Sequence, residues 1–300
     1  MTSSLTSRAT WRDYLTLTKP KVISLLLVTT VGAMFVAAKG FPDWLSLLGI
    51  LVGGYMSAGA AGVYNMLYDR DIDLRMKRTA KRPSVTAIIP VKNMVIFAAT
   101  LTVLSFLVIT ATSNVLAAGL SLAGIGFYVF IYTMWLKRTT WQNIVIGGAA
   151  GAIPPLVGWA AVTNELSVLA WFLFALIFLW TPVHFWALAL MIKEDYKNVG
   201  VPMAPVVIGD KNTVLQMIVY TVLTIASTII PFFMQEFSVV YLVAAVALNI
   251  LLALRMNSLY QVVRSGKKVD RASALPLYKY SMLYLFLLFL VMSLDRAFFV

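Results

Sequence analysis

The sequence predicts an all-α membrane protein of nine transmembrane helices, and three observations predict it. Of its 300 residues 61% are hydrophobic and 12% charged, about half the ~25% charge of a water-facing domain. The apolar residues fall in runs near the ~20 that carry a helix across a hydrocarbon core of about 30 Å. The charge, 24 Lys and Arg against 12 Asp and Glu, lies almost wholly on one side of those runs. The runs are uniformly apolar, without the two-residue alternation of a membrane barrel. Such hydrophobicity excludes a soluble nucleic-acid binder despite the net charge of +12. The absence of Cys excludes disulfides, thiolate metal sites and cysteine nucleophiles. A single His excludes a multi-His metal centre.

The spans follow in chain order. Val22–Ala38 is full length and has no persuasive cleavage site after it, so it is read as a retained helix rather than a signal segment. Trp44–Tyr64, Met94–Thr112, Val115–Leu136 and Ile144–Val162 come next, all without formal charge. In the fifth, Gly147, Gly148 and Gly151 predict close helix packing, and Pro154-Pro155 predict a break. The sixth, Leu166–Ile192, is long and contains Pro182, which predicts a kink or an extension past the bilayer. Val214–Phe233, Phe237–Leu254 and Tyr280–Leu294 complete the set, the last short unless it runs on towards Phe299. Gln142, Asn143, Gln216 and Asn249 are expected to hydrogen-bond between helices. Residues 1–21 form a cytoplasmic segment and 22–300 a single membrane domain.

Alternating the connections puts 22 of the 24 basic residues, Arg8 among them, on the N-terminal side. Only Lys39 and Arg296 lie opposite. The positive-inside rule makes that side cytoplasmic and the C-terminus external. The outer connections are a few residues long, whereas 65–93, 193–213 and 255–279 are long inner segments. Two of them, Asp69 to Pro83 and Glu194 to Pro202, each pass from acids through bases to a proline. They lie four spans apart, which hints at a duplicated four-helix unit with a ninth helix appended.

The first long segment carries Asn65, Asp69 and Asp73 at i, i+4 and i+8. If the second span continues as a helix, these three share one face. Stacked oxygen ligands suit Mg²⁺, which uses one or two carboxylates together with water and phosphate oxygens. Arg78 and Arg82, again four apart, supply cations suited to a diphosphate. The plain alternative is a solvated loop that sets topology, with Asp73 and Lys77 as an ordinary ion pair.

The pattern Asn65-x3-Asp69-x2-Ile72-Asp73-x2-Met76-x-Arg78-Thr79-x2-Arg82-Pro83 resembles the signature of the UbiA superfamily of intramembrane prenyltransferases. The Tyr14-x3-Thr18-Lys19-Pro20-Lys21 segment and the nine-span layout agree with it. One departure is Ala87, where the family pattern leads one to expect Gly. The stretch Trp180-Thr181-Pro182-Val183-His184-Phe185-Trp186, followed by Lys193 to Met203, resembles the haem-modifying branch of the family. Quinone-type members more often carry a second aspartate-rich motif there, reduced in this chain to Glu194 and Asp195.

The resemblance implies a UbiA-like bundle whose active site lies in the cytoplasmic loops of a bacterial inner-membrane protein. It implies transfer of the farnesyl group of farnesyl diphosphate to a vinyl group of protoheme IX, giving haem O and diphosphate. Asn65, Asp69 and Asp73 would hold Mg²⁺, with Glu194 and Asp195 opposite; Arg78, Arg82 and Lys197 would bind diphosphate. His184 has two readings, a packed intramembrane imidazole or a functional group, either an axial haem contact or a proton-transfer group. The surrounding aromatics read as packing or an interfacial belt. Lys267, Lys268 and Arg271 are explained by topology and anionic lipid, or else help to draw in the diphosphate. Expected partners are the two substrates, the lipid bilayer and haem-pathway membrane enzymes, with no nucleic acid. The rival readings are a prenyltransferase for an aromatic quinone precursor such as hydroxybenzoate, and a transporter. A transporter would place its ionisable residues near the bilayer midplane.

Overall fold

The structure is a computed structural model that describes residues 9–300; Arg8 and the rest of the extreme N-terminus lie outside them. Among the described residues there is no strand, and nine helices are long and apolar enough to cross a membrane. In chain order the elements are α1 (Trp11–Thr18), α2 (Pro20–Ala38), α3 (Trp44–Tyr68), α4 (Arg70–Arg75), α5 (Val91–Thr112) and α6 (Val115–Gly126). α6 continues as a π-helix, Phe127–Leu136, and ends in α7 (Lys137–Thr139). Then come α8 (Asn143–Thr163), α9 (Val168–Met191), α10 (Lys193–Asn198), α11 (Ala204–Val207), α12 (Gly209–Phe233), α13 (Val239–Arg264) and α14 (Arg271–Phe298).

The spans form a ring. α3 packs on α5, α8 on α2 and α9, α9 on α12 and α14, and α14 returns to α2. Short polar residues start the helices at the narrow turns opposite the long loops: Asp43, Asn114 and Ser167 each accept a backbone N–H from the first turn that follows. At the C-terminal end of α14, buried Asp295 accepts from the Ser238 and Tyr241 backbone N–H groups at 2.8 and 3.1 Å. Arg296 pairs there with Glu236 at 2.6 Å. The isolated charges at this end thus tie turns together.

Several expectations change. α8 runs unbroken through Pro154 and Pro155, where a break is expected; α9 is likewise continuous through Pro182, where the expectation is a kink or an extension rather than a break. In lipid, opening a helix would strand further backbone groups, so neighbouring helices hold the ladder together despite the missing donors. α14 spans 28 residues and is not short; its start is fixed by a capping box between Asp270 and Ser273 that hydropathy does not register. Because α13 runs on to Arg264, the third inner segment is reduced to residues 265–270. Asn249 does bridge helices, donating to Thr228 Oγ1 at 2.9 Å and accepting from Tyr284 at 2.8 Å. Asn143 donates to the Pro202 carbonyl at 3.2 Å. Gln142 and Gln216 are exposed instead.

Candidate active site

The second span does continue. Asp69 terminates α3 and starts α4, and its backbone keeps the helical ladder: Asp69 N–H donates to Asn65 O at 2.9 Å and Asp73 N–H to Asp69 O at 2.8 Å. Asn65, Asp69 and Asp73 are therefore stacked as their spacing predicts, and all three are buried.

Buried carboxylates need partners, and this site draws them from four places in the chain. Lys19, at the junction of α1 and α2, donates to Asn65 Oδ1 at 2.6 Å. The Asn65 amide donates to Asp69 Oδ2 at 2.7 Å and to Thr133 Oγ1 at 3.2 Å. Lys137 donates to Asp69 Oδ2. Arg138 holds Asp71 through two 2.8 Å bonds and lies 3.6 Å from Asp69 Oδ1. Arg82 reaches Asp73 Oδ2 at 2.6 Å, so the simple pairing of Asp73 with Lys77 gives way to a pairing across the whole loop. The fork of Arg138 holds the Asp71 carboxyl down to about 2. Loss of water, with the charges of Arg82 and Lys137 beside it, brings the Lys19 ammonium down to about 7. Cations thus outnumber the buried acids, which suits a polyanionic ligand.

The π-helix explains the geometry on the far side. Long π-runs are rare and concentrate at functional sites. Here Thr133 Oγ1 donates to the Tyr128 carbonyl, five residues back, at 2.8 Å. Thr133 and Lys137, four apart, then face Asn65 and Asp69 together. Close packing supports it: a Cβ on Gly147 would stand 2.3 Å from Tyr132 Cδ2.

The second segment is looser. Lys193 binds both oxygens of Asp210 at 2.9 Å. Glu194 and Lys197 are exposed and Asp195 half-buried. Tyr196 connects the segments: burial raises its phenol, Arg78 and Arg82 oppose that, and Asp69 and Asp195 add to it. Its hydroxyl thus lies within the fields of both loops. Arg78 itself is exposed.

His184 is buried on α9, stacked between Trp180 at 4.5 Å and Tyr278 at 4.7 Å, with Nδ1 2.8 Å from Ser281 Oγ. Ser281 Oγ also lies 2.8 Å from the Tyr278 carbonyl, to which it donates. With that single proton committed, Nδ1–H is the donor to Ser281 and Nε2 carries the lone pair.

Asp69 Oδ1 is the telling atom. It is buried and accepts no hydrogen bond. A free carboxylate oxygen, beside a second carboxylate and an amide oxygen, is a donor set suited to a hard divalent cation. Among the described residues no third carboxylate joins them, and Mg²⁺ takes water and phosphate oxygens for the remainder.

The family model for UbiA prenyltransferases matches residues 25–293. The chain belongs to the UbiA prenyltransferase family. It is 57% identical over 299 residues to a Deinococcus radiodurans protein named protoheme IX farnesyltransferase, covering 97% of this chain and 95% of that one. A Thermus thermophilus protein of the same name is 56% identical over 292 residues, and the chain spans 47% of its length. The fold matches a structure described as a digeranylgeranylglyceryl phosphate synthase, with a TM-score of 0.77 and 18% identity over 95% of this chain and 98% of that one. It also matches a UbiA homologue from Archaeoglobus fulgidus bound to GPP and Mg²⁺, with a TM-score of 0.68 and 18% identity over 94% and 99%. The chain is a multi-pass membrane protein of this family.

Sequence reasoning found the acids and missed most of their partners. Charge placement alone reads Lys137 and Arg138 as topology, Lys19 stands only in the segment that enters the first span, and Thr133 carries no signal. Only the fold brings them to Asn65 and Asp69.

Proposed function

We propose that the protein transfers the farnesyl group of farnesyl diphosphate to a vinyl group of protoheme IX, giving haem O and diphosphate. The observation that carries this reading is the 57% identity, over nearly the whole of both chains, to a protein named for that reaction. The stacked acids within a ring of cations support it. The Deinococcus and Thermus relatives are named for the haem reaction, which favours it over the hydroxybenzoate reading, and the acids at a helix end fit a transporter poorly.

Asn65, Asp69 and Asp73 would hold Mg²⁺, with Glu194 and Asp195 closing from the second segment. Bound there, the ion would neutralise charge on the departing diphosphate. Arg78, Arg82 and Lys197 bind its oxygens, and Lys19 and Lys137 keep the field positive as the allylic C–O bond opens. The apolar interior excludes water from the farnesyl cation until the vinyl carbon bonds to it. Water then adds to the remaining carbon centre and releases a proton, completing the hydroxyethyl group. His184 Nε2 is the group offered to haem. The 22 inner basic residues support a cytoplasmic N-terminus, residues 1–21 as a cytoplasmic segment, and a bacterial inner-membrane location.

Purified protein with Mg²⁺ and farnesyl diphosphate is offered protoheme IX or hydroxybenzoate. The expected product has the mass of protoheme plus farnesyl and hydroxyl. Prenylated hydroxybenzoate with unchanged haem would overturn the reading.

A further inference from the structure

We propose that a lysine-lined cavity, separate from the Asn65–Asp73 cluster, seats the propionate carboxylates of the porphyrin acceptor; this rests on the haem reading above. The cavity has a volume of about 420 Å³, and its polar lining is Lys193, Asp210, Lys211, Lys267 and Lys268. None of Asn65, Asp69, Asp73, Arg82 or Lys137 lines it.

Its one acid is already engaged. Asp210 binds Lys193 through both oxygens at 2.9 Å and accepts the Val269 N–H at 3.3 Å, which ties the start of α12 to the 265–270 turn. Among the described residues, Lys211, Lys267 and Lys268 form no ion pair. α12 adds to the positive field. It is 25 residues long, Ile208 gives its N-terminus no side-chain cap, and its first residues Gly209, Asp210 and Lys211 line the cavity.

The position narrows the ligand. The cavity is lined by the starts of α10 and α12, by α11, and by the end of α13 with the turn that leads into α14; α10 follows directly on α9, and α9 and α14 are the helices that stack His184 against Tyr278. Lys193 is nine residues past His184, roughly 13 Å of helical rise. Tyr278 lies seven residues into α14 from Arg271, roughly 10 Å. A ligand spanning this zone has an anionic edge at the membrane surface and a flat apolar body below it. A porphyrin with two adjacent carboxylates has that shape. Separate cationic seats keep the dicarboxylate of one substrate from competing for the cations that the diphosphate of the other requires.

The test uses the full-length protein in phosphatidylcholine nanodiscs. Protoheme IX and its dimethyl ester, which keeps the ring and vinyl groups and lacks both carboxylate charges, are titrated by absorbance. Replacing Lys211, Lys267 and Lys268 by Gln should weaken protoheme roughly tenfold, the equivalent of one charge-assisted contact. Binding of the dimethyl ester and the KM for farnesyl diphosphate should stay unchanged. Equal weakening of both porphyrins, or of neither, overturns the proposal. So does a rise only in the KM for farnesyl diphosphate, or an effect seen only on adding phosphatidylglycerol, which would make the cavity a diphosphate or lipid seat. If the triple variant unfolds, Lys268→Gln alone is read the same way, with a smaller discrimination between the two porphyrins. A wild-type protein that farnesylates protoheme while the variants fail to discriminate overturns the seat alone. One that prenylates only hydroxybenzoate overturns the underlying reading.

Discussion

The segments after α3 and α9 are built on one plan, a short helix carrying acids followed by bases and a proline, yet they are held differently. In the first, Asp69 and Asp73 are buried; Lys137 and Arg138 come from α7 to meet Asp69, and Arg82 reaches Asp73 from the far end of the same loop. In the second, Glu194 is exposed and Asp195 half-buried, and neither forms an ion pair among the described residues. The first loop is thus organised before any ligand arrives, because buried charges do not persist without partners. The second loop has no such constraint.

The strongest way to break this contrast is Asp69→Asn. Asn keeps the volume and some hydrogen bonding, whereas Ala would strand Lys137 at a cost of about 3–5 kcal/mol. Turnover is expected to fall on the order of 1000-fold from lost charge stabilisation, while the unfolding temperature in detergent moves little. Near-normal turnover would mean that Asp69 is a structural partner of Lys137 and nothing more.

How much of this was legible beforehand follows from the same contrast. The stacking of Asn65, Asp69 and Asp73 could be read because helical spacing is local. The burial of Asp69 could not, since it depends on Lys137 arriving from a span 68 residues later, and on a π-helix that periodicity does not reveal. The spans could be read from hydropathy. Their ends could not, because α13 and α14 continue through Arg255, Arg271 and Lys279 into water. The prolines misled for a related reason. Pro154 and Pro155 are breakers in water, where a freed carbonyl finds a solvent partner, but in lipid the helix has nowhere better to go.

A smaller effect is expected in the second loop. Glu194→Gln combined with Asp195→Asn should lower turnover about tenfold, the cost of roughly 1.4 kcal/mol in the barrier, and raise the Mg²⁺ concentration needed for half-maximal rate. Metal titrations at fixed farnesyl diphosphate measure both. A loss as deep as that of Asp69→Asn would make the two loops equivalent and dissolve the contrast.

The smallest expected effect concerns the backbone. In the second loop the left-handed positions fall on Gly200 and Gly209, φ +72° and +77°, where no Cβ opposes them. In the first loop the left-handed position falls on Ala87, φ +59°, the position where the family pattern predicts Gly. Ala pays about 1–2 kcal/mol in that conformation, and Gly returns about 0.5–1 kcal/mol through the added freedom of the unfolded chain. Ala87→Gly should therefore stabilise the protein by about 0.5–1 kcal/mol, visible as a small rise in the detergent unfolding midpoint with turnover nearly unchanged. The exposed side chain of Ala87 has little packing to lose. A fall in stability would show that the methyl group is held by contacts that outweigh its backbone strain. A change in KM for farnesyl diphosphate would show something more: that the strain at Ala87 reaches Arg82, five residues away, and helps to fix its grip on Asp73.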